Sequence, residues 1–339
     1  MNNNLKLITL FSGYGTQELA LKYIGVNYTN VANCDILKPA NICYDALHTT
    51  ERGNLGDIRT INESNLPQCD LLTYSYPCQD ISISGKQEGI KEGTRSGLLF
   101  EVERLLSINR PKFLLMENVK NLISKKHIDS FQKHIYFLRG LGYSSYWRVL
   151  NGADFGCPQN RERVFMMSVL NGDIDDVKEK MMNVDNHKKQ RTPMSPFIED
   201  TDDETLFIDC QYTLHHPKQN TVCKLIARRD DISYDQARRI YSIEGCSPCL
   251  TTSGSPQIMT KDGRVRTITA REGYRFMGVR DEDIDKLLTT SLSTRTHVSL
   301  AGNSICVPVM EAIFTEFLSD YIQEKQPELS NQINKEIND

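Results

Sequence analysis

The chain has 339 residues, with 40 Lys and Arg against 44 Asp and Glu and a formal net charge of −4. At 39% apolar and 25% charged residues it has the composition of a globular protein of about two domains, which excludes disordered and fibrous classes. Apolar runs such as Phe113–Met116 are far too short to span a bilayer, the first residues lack a leader layout, and ten singly scattered cysteines read as reduced thiols, so a cytoplasmic protein is expected.

The first ~170 residues alternate strand and helix signals, as a parallel sheet flanked by helices requires. Leu5–Phe11 predicts a strand running into Ser12-Gly13-Tyr14-Gly15, and Thr16–Ile24 a helix with Leu19, Ala20 and Tyr23 on one face. Val31–Asn33, Asp70–Tyr74, Phe113–Met116 and Val164–Val169 predict further strands, with a helix over Leu98–Ile108. The fold class is α/β, a doubly wound, mostly parallel sheet with ligand sites at the carboxyl ends of its strands. The pattern fails after Gly172. Residues 171–206 carry 5 basic and 10 acidic side chains, and 172–206, with Pro193 and Pro196, read as a linker or solvated excursion. Residues 207–275 carry 11 basic and 7 acidic side chains, an excess that suits phosphates as well as it suits a solvated charged face. Residues 172–265 are assigned to a smaller, loop-rich domain and 1–171 to the sheet domain. Helical spacing returns in 266–325, and 326–339 is a polar tail.

Several strand ends carry residues with chemistry. Phe11-Ser12-Gly13-Tyr14-Gly15 is a glycine turn at a helix N-terminus, where the backbone lets a ligand approach and the helix end favours negative charge. Asp35, at the end of the second strand, is where a carboxylate accepts ribose hydroxyls. Departure from G-x-G-x-x-G fits a cofactor with no pyrophosphate. Cys78, in Tyr76-Pro77-Cys78-Gln79, is a candidate nucleophile or a buried structural thiol. Glu117 is a candidate general acid or a helix-capping carboxylate. Arg161 and Arg163, in Gln159-Asn160-Arg161-Glu162-Arg163, supply two fixed cations.

Taken with Arg271-Glu272 and Gly302-Asn303-Ser304, these motifs occur in an order that resembles the DNA (cytosine-5) methyltransferases, over roughly residues 5–320. Ser82-Ile83-Ser84-Gly85-Lys86-Gln87 and Arg95 are similar to that family's mobile catalytic loop, and Arg239-Ile240-Tyr241-Ser242 to the end of its target-recognition domain. The resemblance implies a Rossmann-like methyltransferase fold and S-adenosylmethionine in the first crevice. Phe11, Gly13, Gly15, Asp35, Asp57, Ile58, Asn303 and Ser304 would form the cofactor site, the last two from a C-terminal segment folded back on the first domain. Cys78 matches the nucleophile, Glu117 the carboxyl group that engages the ring, and Arg163 with Arg161 the cations beside it. Gln79, Ser82, Arg95, Gln159 and Leu250 are expected at the substrate. Thr16 stands where the family more often has glycine, and Cys249-Leu250 where Thr-Leu is usual.

The implied reaction is methyl transfer to C5 of a cytosine flipped out of duplex DNA, through a Cys78–C6 adduct. The implied partner is double-stranded DNA, with no membrane and a monomeric chain that binds the nucleoid only through DNA. A companion restriction endonuclease remains open. The same chemistry on transfer RNA is the first alternative, and the Cys-Phe-Thr tripeptide that marks that subgroup is absent from the sequence. An inactive binding relative and a cysteine hydrolase are the others. Cys246-Ser247-Pro248-Cys249 with Cys210 and Cys223 is a weak zinc pattern, and no metal is expected.

Overall fold

In this computed structural model the described residues are 4–77, 96–217, 221–252 and 254–323. The chain opens with β1 (Leu5–Leu10), α1 (Thr16–Ile24), β2 (Tyr28–Cys34) and α2 (Lys38–Leu47). Then come β3 (Leu71–Tyr74), α3 (Leu99–Ile108), β4 (Phe113–Val119), α4 (Ile128–Gly140), β5 (Tyr143–Asn151) and β6 (Glu162–Leu170). Among the described residues these six strands form one sheet in the order β2-β1-β3-β4-β6-β5. β2, β1, β3 and β4 run parallel, and β6 is antiparallel to both neighbours. Strand order reverses between β1 and β3, so the crevice of a doubly wound sheet opens beyond their carboxyl ends.

Strands covered on both faces read as unbroken apolar runs. Leu5, Leu7, Ile8 and Leu10 of β1 and all four residues of β3 are accordingly buried. The first strand stops one residue earlier than expected, because Phe11 takes φ 56° and starts the turn. Helix α1 spans its predicted residues and ends at Gly25, whose φ of 76° lets its N–H reach the Lys22 carbonyl.

Two expectations for the second half change. Residues 174–183 are not a linker but helix α5 (Ile174–Asn183), capped by Asp173, which accepts from the Asp175 and Asp176 N–H groups. Val177 and Met181, one turn apart, are fully buried in the same core as Leu5, Met167 and Phe317. The acidity there is that of a helix start, where carboxylates face the positive end of the dipole. The loop-rich domain also holds a sheet: β7 (Tyr212–Leu214), β8 (Leu225–Arg229), β9 (Arg239–Ser242), β10 (Gln257–Met259) and β11 (Val265–Thr267), ordered β11-β10-β9-β8-β7. Its own core is small, with Ala227, Ile240 and Val265 buried.

The C-terminal segment folds back as α6 (Ala270–Arg275), α7 (Asp281–Leu288), α8 (Thr294–Gly302) and α9 (Val307–Phe317). Helix α9 packs along α1, burying Met310, Ile313 and Phe314 in one core with Leu19 and Leu21. The stretch Thr294–Phe317 is apolar enough in composition to cross a membrane, yet 72% of its most apolar window is buried inside the protein. Lys22 of α1 is paired with the fully buried Asp283 of α7 at 2.7 Å, fastening the segment to the first helix.

Candidate active site

The glycine turn after β1 supplies one wall of the crevice. Gly13 and Gly15 hold φ of 57° and 83°, backbone that side chains with a Cβ adopt at a cost. A Cβ on Gly15 would fall 2.4 Å from the His48 ring, whereas one on Gly13 would meet nothing within 4 Å, so Gly13 borders open space. Asp35 anchors the turn. One carboxylate oxygen accepts from the Gly13 N–H at 2.9 Å and the other from the Leu37 N–H at 2.8 Å. Burial raises its pKa, and these N–H groups oppose the shift. Asp57 caps the turn at Ile58–Thr60 and holds Arg59 through both oxygens, which lowers its pKa, while Ile58 is buried below it.

Across the crevice, the Ser304 and Tyr14 hydroxyls meet at 2.9 Å, so the C-terminal segment closes directly on the glycine turn. Asn303 is exposed at the end of α8. Thr16, the departure from glycine, is buried and bonds Gln17 through its hydroxyl, leaving the turn's two positive-φ glycines in place.

Glu117 and Arg163 face each other from β4 and β6, with Nε and Oε1 3.3 Å apart. The antiparallel register places Val119 opposite Arg163, so a long arginine can reach back to the carboxylate two residues earlier on the same face. Burial pushes the Glu117 carboxyl up, and Arg163, Arg161 and a hydrogen bond with Ser75 pull it partly back. A buried carboxyl that holds its proton readily beside a fixed cation can both donate a proton and stabilise an anion. The side-chain amide of Asn118 donates to the Tyr76 carbonyl at 3.1 Å, which ties the end of β4 to the residue two before Cys78.

Arg161 has another position. Its side chain is buried, and its terminal nitrogens donate to the carbonyls of Leu250 (2.9 Å), Gly302 (2.9 Å) and Ser304 (2.6 Å). One guanidinium thus joins the sheet domain, the recognition segment and the C-terminal segment. Gln159 is fully buried as well. Its amide donates to the Phe276 carbonyl and accepts from the Leu250 N–H, and Leu250 itself is 1% exposed. Gln159 and Leu250, both expected at the substrate, are thus buried and bonded to one another, and in this arrangement they join the sheet domain to the recognition segment. Cys249 Sγ lies 3.1 Å from Arg161 Nη1 and 3.6 Å from Arg163 Nη2.

Cys78, Gln79, Ser82 and Arg95 lie outside the described residues. Asn118 and Tyr14 are signalled in the sequence only by the motif residues beside them, and Cys249 only as part of a weak zinc pattern and as a departure from threonine. Among the described residues no group of three or more His, Cys, Asp or Glu gathers as a metal site would. Arginines on and beside the second sheet have acidic partners: Arg228 and Arg239 meet Asp235, Arg229 meets Asp231, Arg238 just before β9 meets Asp230, and Arg266 of β11 meets Glu272.

Residues 5–319 match the model of the C-5 cytosine-specific DNA methylases. The chain belongs to this family. It is 37% identical over 267 residues to the type II methyltransferase M2.ScrFI of Lactococcus lactis subsp. cremoris, covering 78% of this chain and 70% of that protein. It is 35% identical over 288 residues to the orphan methyltransferase M.SssI of Spiroplasma monobiae, covering 80% and 72%. The type II methyltransferase M.HhaI of Haemophilus parahaemolyticus is 30% identical over 91% of this chain and 93% of its own. The S. pombe Dnmt2 methyltransferase crystal structure shares the fold, with a TM-score of 0.70 at 21% identity, over 93% of this chain and 99% of that one. The chain is thus a DNA cytosine-5 methyltransferase, and the crevice between glycine turn, Glu117 and C-terminal segment is its candidate active site.

Proposed function

We propose that this methylase transfers a methyl group from S-adenosylmethionine to C5 of a cytosine flipped out of duplex DNA, with Cys78 as the nucleophile. The observation that carries the reading is the buried Glu117–Arg163 pair at the carboxyl end of the sheet, with Asn118 holding Tyr76 just ahead of Cys78. The residues fit the cofactor. Gly13 borders open space, Asp35 offers carboxylate oxygens to hydroxyls, and Ser304 with Asn303 flanks the crevice from the far side. Phe11, Gly15, Asp57 and Ile58 complete the proposed cofactor wall. When bound, S-adenosylmethionine supplies an electrophilic methyl group on a sulfonium.

Cytosine C5 is a poor nucleophile, and the chain's residues change that. The Cys78 thiolate adds to C6, and Glu117 holds a proton at N3, so the added electron density reaches C5 without a full negative charge building on the ring. Arg163 and Arg161 keep this region of the site positive. After C5 is alkylated it loses its proton, and the electrons of that C–H bond expel the Cys78 thiolate. A stacked cytosine cannot offer its face to a thiol, so flipping precedes addition at a cost of a few kcal/mol. Gln79, Ser82 and Arg95 are proposed substrate contacts on the segment after Cys78, and residues beyond α5 up to 265 are proposed to read the DNA sequence.

The test uses duplex DNA carrying 5-fluorocytosine. Fluorine cannot leave as a cation, so the enzyme stays joined to the DNA after methyl transfer. A denaturing gel then shows a shifted band that needs both cofactor and Cys78. An active enzyme that forms no adduct overturns the covalent route, and methylation of transfer RNA in preference to duplex DNA overturns the substrate.

A further inference from the structure

Cys249 stands where the family usually has threonine, and it sits at the junction of the two arginines. Its Sγ is 3.1 Å from Arg161 Nη1 and 3.6 Å from Arg163 Nη2, and Arg163 in turn reaches Glu117 at 3.3 Å. Two guanidinium groups therefore serve two potential anions. Arg161 is tied down by three carbonyls, so it cannot follow either. Arg163 is the movable partner, because its other hydrogen bond is to the carbonyl of its own neighbour Glu162.

We propose that Cys249 is a positioning residue of the methylase site, an anionic third partner that shares Arg163 with Glu117 and thereby keeps the Glu117 proton available. The inference rests on the proposed role of Glu117 as proton donor to the ring. A threonine at this position would fill similar space with no charge, leaving Arg163 to Glu117 alone.

The electrostatics agree. Arg161 and Arg163, by charge and by hydrogen bond, hold the Cys249 thiol below its usual range against the effect of burial. Burial pushes the nearby Cys223 thiol up to about 12, and a hydrogen bond with Cys306 together with burial pushes Cys157 upward. Among the described residues Cys306 is also held down, first by its hydrogen bond with Cys157 and then by the charges of these arginines, but it is 3% exposed whereas Cys249 is partly open to solvent. Cys249 Sγ also lies 3.4 Å from the Leu250 carbonyl oxygen, to which a neutral thiol donates beside the Arg161 bond at 2.9 Å, so the contacts to Arg161 at 3.1 Å and Arg163 at 3.6 Å are what favour the thiolate. Among the described residues the charged and titratable groups that interact with this thiol are Arg161, Arg163, Cys306 and Cys223, with Glu117 reached through Arg163.

Two measurements test the proposal on the full chain. In a Cys78→Ser background, iodoacetamide labelling followed by peptide mass spectrometry across pH reads the Cys249 thiolate without using activity. The expected midpoint is at least one pH unit below that of a free thiol, about 8.5. A midpoint at or above the free-thiol value overturns the anion. With Cys78 intact, single-turnover methyl transfer is followed against pH for the parent, Cys249→Ser and Cys249→Asp. Losing the anion gives Arg163 wholly to Glu117, which favours the Glu117 carboxylate. The basic limb of the Cys249→Ser profile therefore moves down by about one unit, a loss of about tenfold at alkaline pH. Cys249→Asp restores the charge and moves the limb back. An unmoved limb in the serine variant, or an aspartate variant no closer to the parent than serine, overturns the positioning role. Absence of methyl transfer by the parent would instead count against the function, and labelling would still decide the anion.

Discussion

Arg161 is the residue on which the assembly of the site depends most. Its guanidinium donates to three main-chain carbonyls and to Cys249 Sγ, and the side chain is 4% exposed. A hydrogen bond to a charged group contributes about 1.5–3 kcal/mol, and a buried carbonyl left without a donor costs roughly 1–3 kcal/mol. Arg161→Ala orphans the carbonyls of Leu250, Gly302 and Ser304 together, though water entering the space left by the side chain recovers part of the loss. The expected destabilisation is about 4 kcal/mol. Arg161→Lys keeps the charge, but a single ammonium cannot reproduce the guanidinium fork, so about half that loss is expected. Urea unfolding gives the difference as the midpoint shift multiplied by the slope. Binding of S-adenosylhomocysteine by calorimetry should weaken in the same order, because Gly302 and Ser304 belong to the segment that closes the crevice. An alanine variant with the parental midpoint, or a lysine variant as damaged as alanine, would refute the reasoning.

Three further outcomes follow from the geometry. Gly15→Ala should lose far more stability and cofactor affinity than Gly13→Ala, because its Cβ meets the His48 ring at 2.4 Å while Gly13 opens on free space and bears only a backbone cost of about 1 kcal/mol; thermal melts and calorimetry of both compare them. Burial raises the Glu117 pKa, so its folding contribution is present below the unfolded carboxyl range and is lost as pH rises through the folded value. Glu117→Gln should therefore gain stability relative to the parent from acid to neutral pH in urea midpoints, while methyl transfer falls sharply. Arg266 and Glu272 form a pair exposed to 1% and 0%, so Arg266→Met leaves a buried carboxylate without its counter-ion, held only by the Glu199 and Thr269 N–H groups, and should cost about 3 kcal/mol in the same unfolding assay.

The elements legible in the sequence are those whose burial follows a local rule. β1, β3 and β4 are covered on both faces and appear as apolar runs, and α1 and α3 repeat apolar residues once per turn. Helix α4, which buries only Phe131, His134 and Leu138, and β5, most of whose residues are half-buried, carry too mixed a pattern to be read. The second sheet is not legible in the sequence because strands of three to five residues offer no periodicity, and β8 ends in two arginines paired with aspartates outside it. Helix α5 has the look of a linker in the sequence because its first turn is acidic, although Val177 and Met181 are spaced one turn apart.

For the site, the order and chemistry of the motifs were determined by the sequence itself. Glycines, carboxylates and cations stand at strand ends, and a strand end in a doubly wound sheet faces the crevice whatever else the chain does. Which group each one meets was decided only in three dimensions. Arg161 and Arg163 are two residues apart and chemically alike, yet one is buried among carbonyls 89, 141 and 143 positions away and the other faces Glu117. Gln159 belongs to the same motif and turns entirely inward. Backbone geometry dictates local structure over a few residues. The partner of a long polar side chain depends instead on how distant segments close over one another, and that closure is a property of the packed core joining α1 to α9.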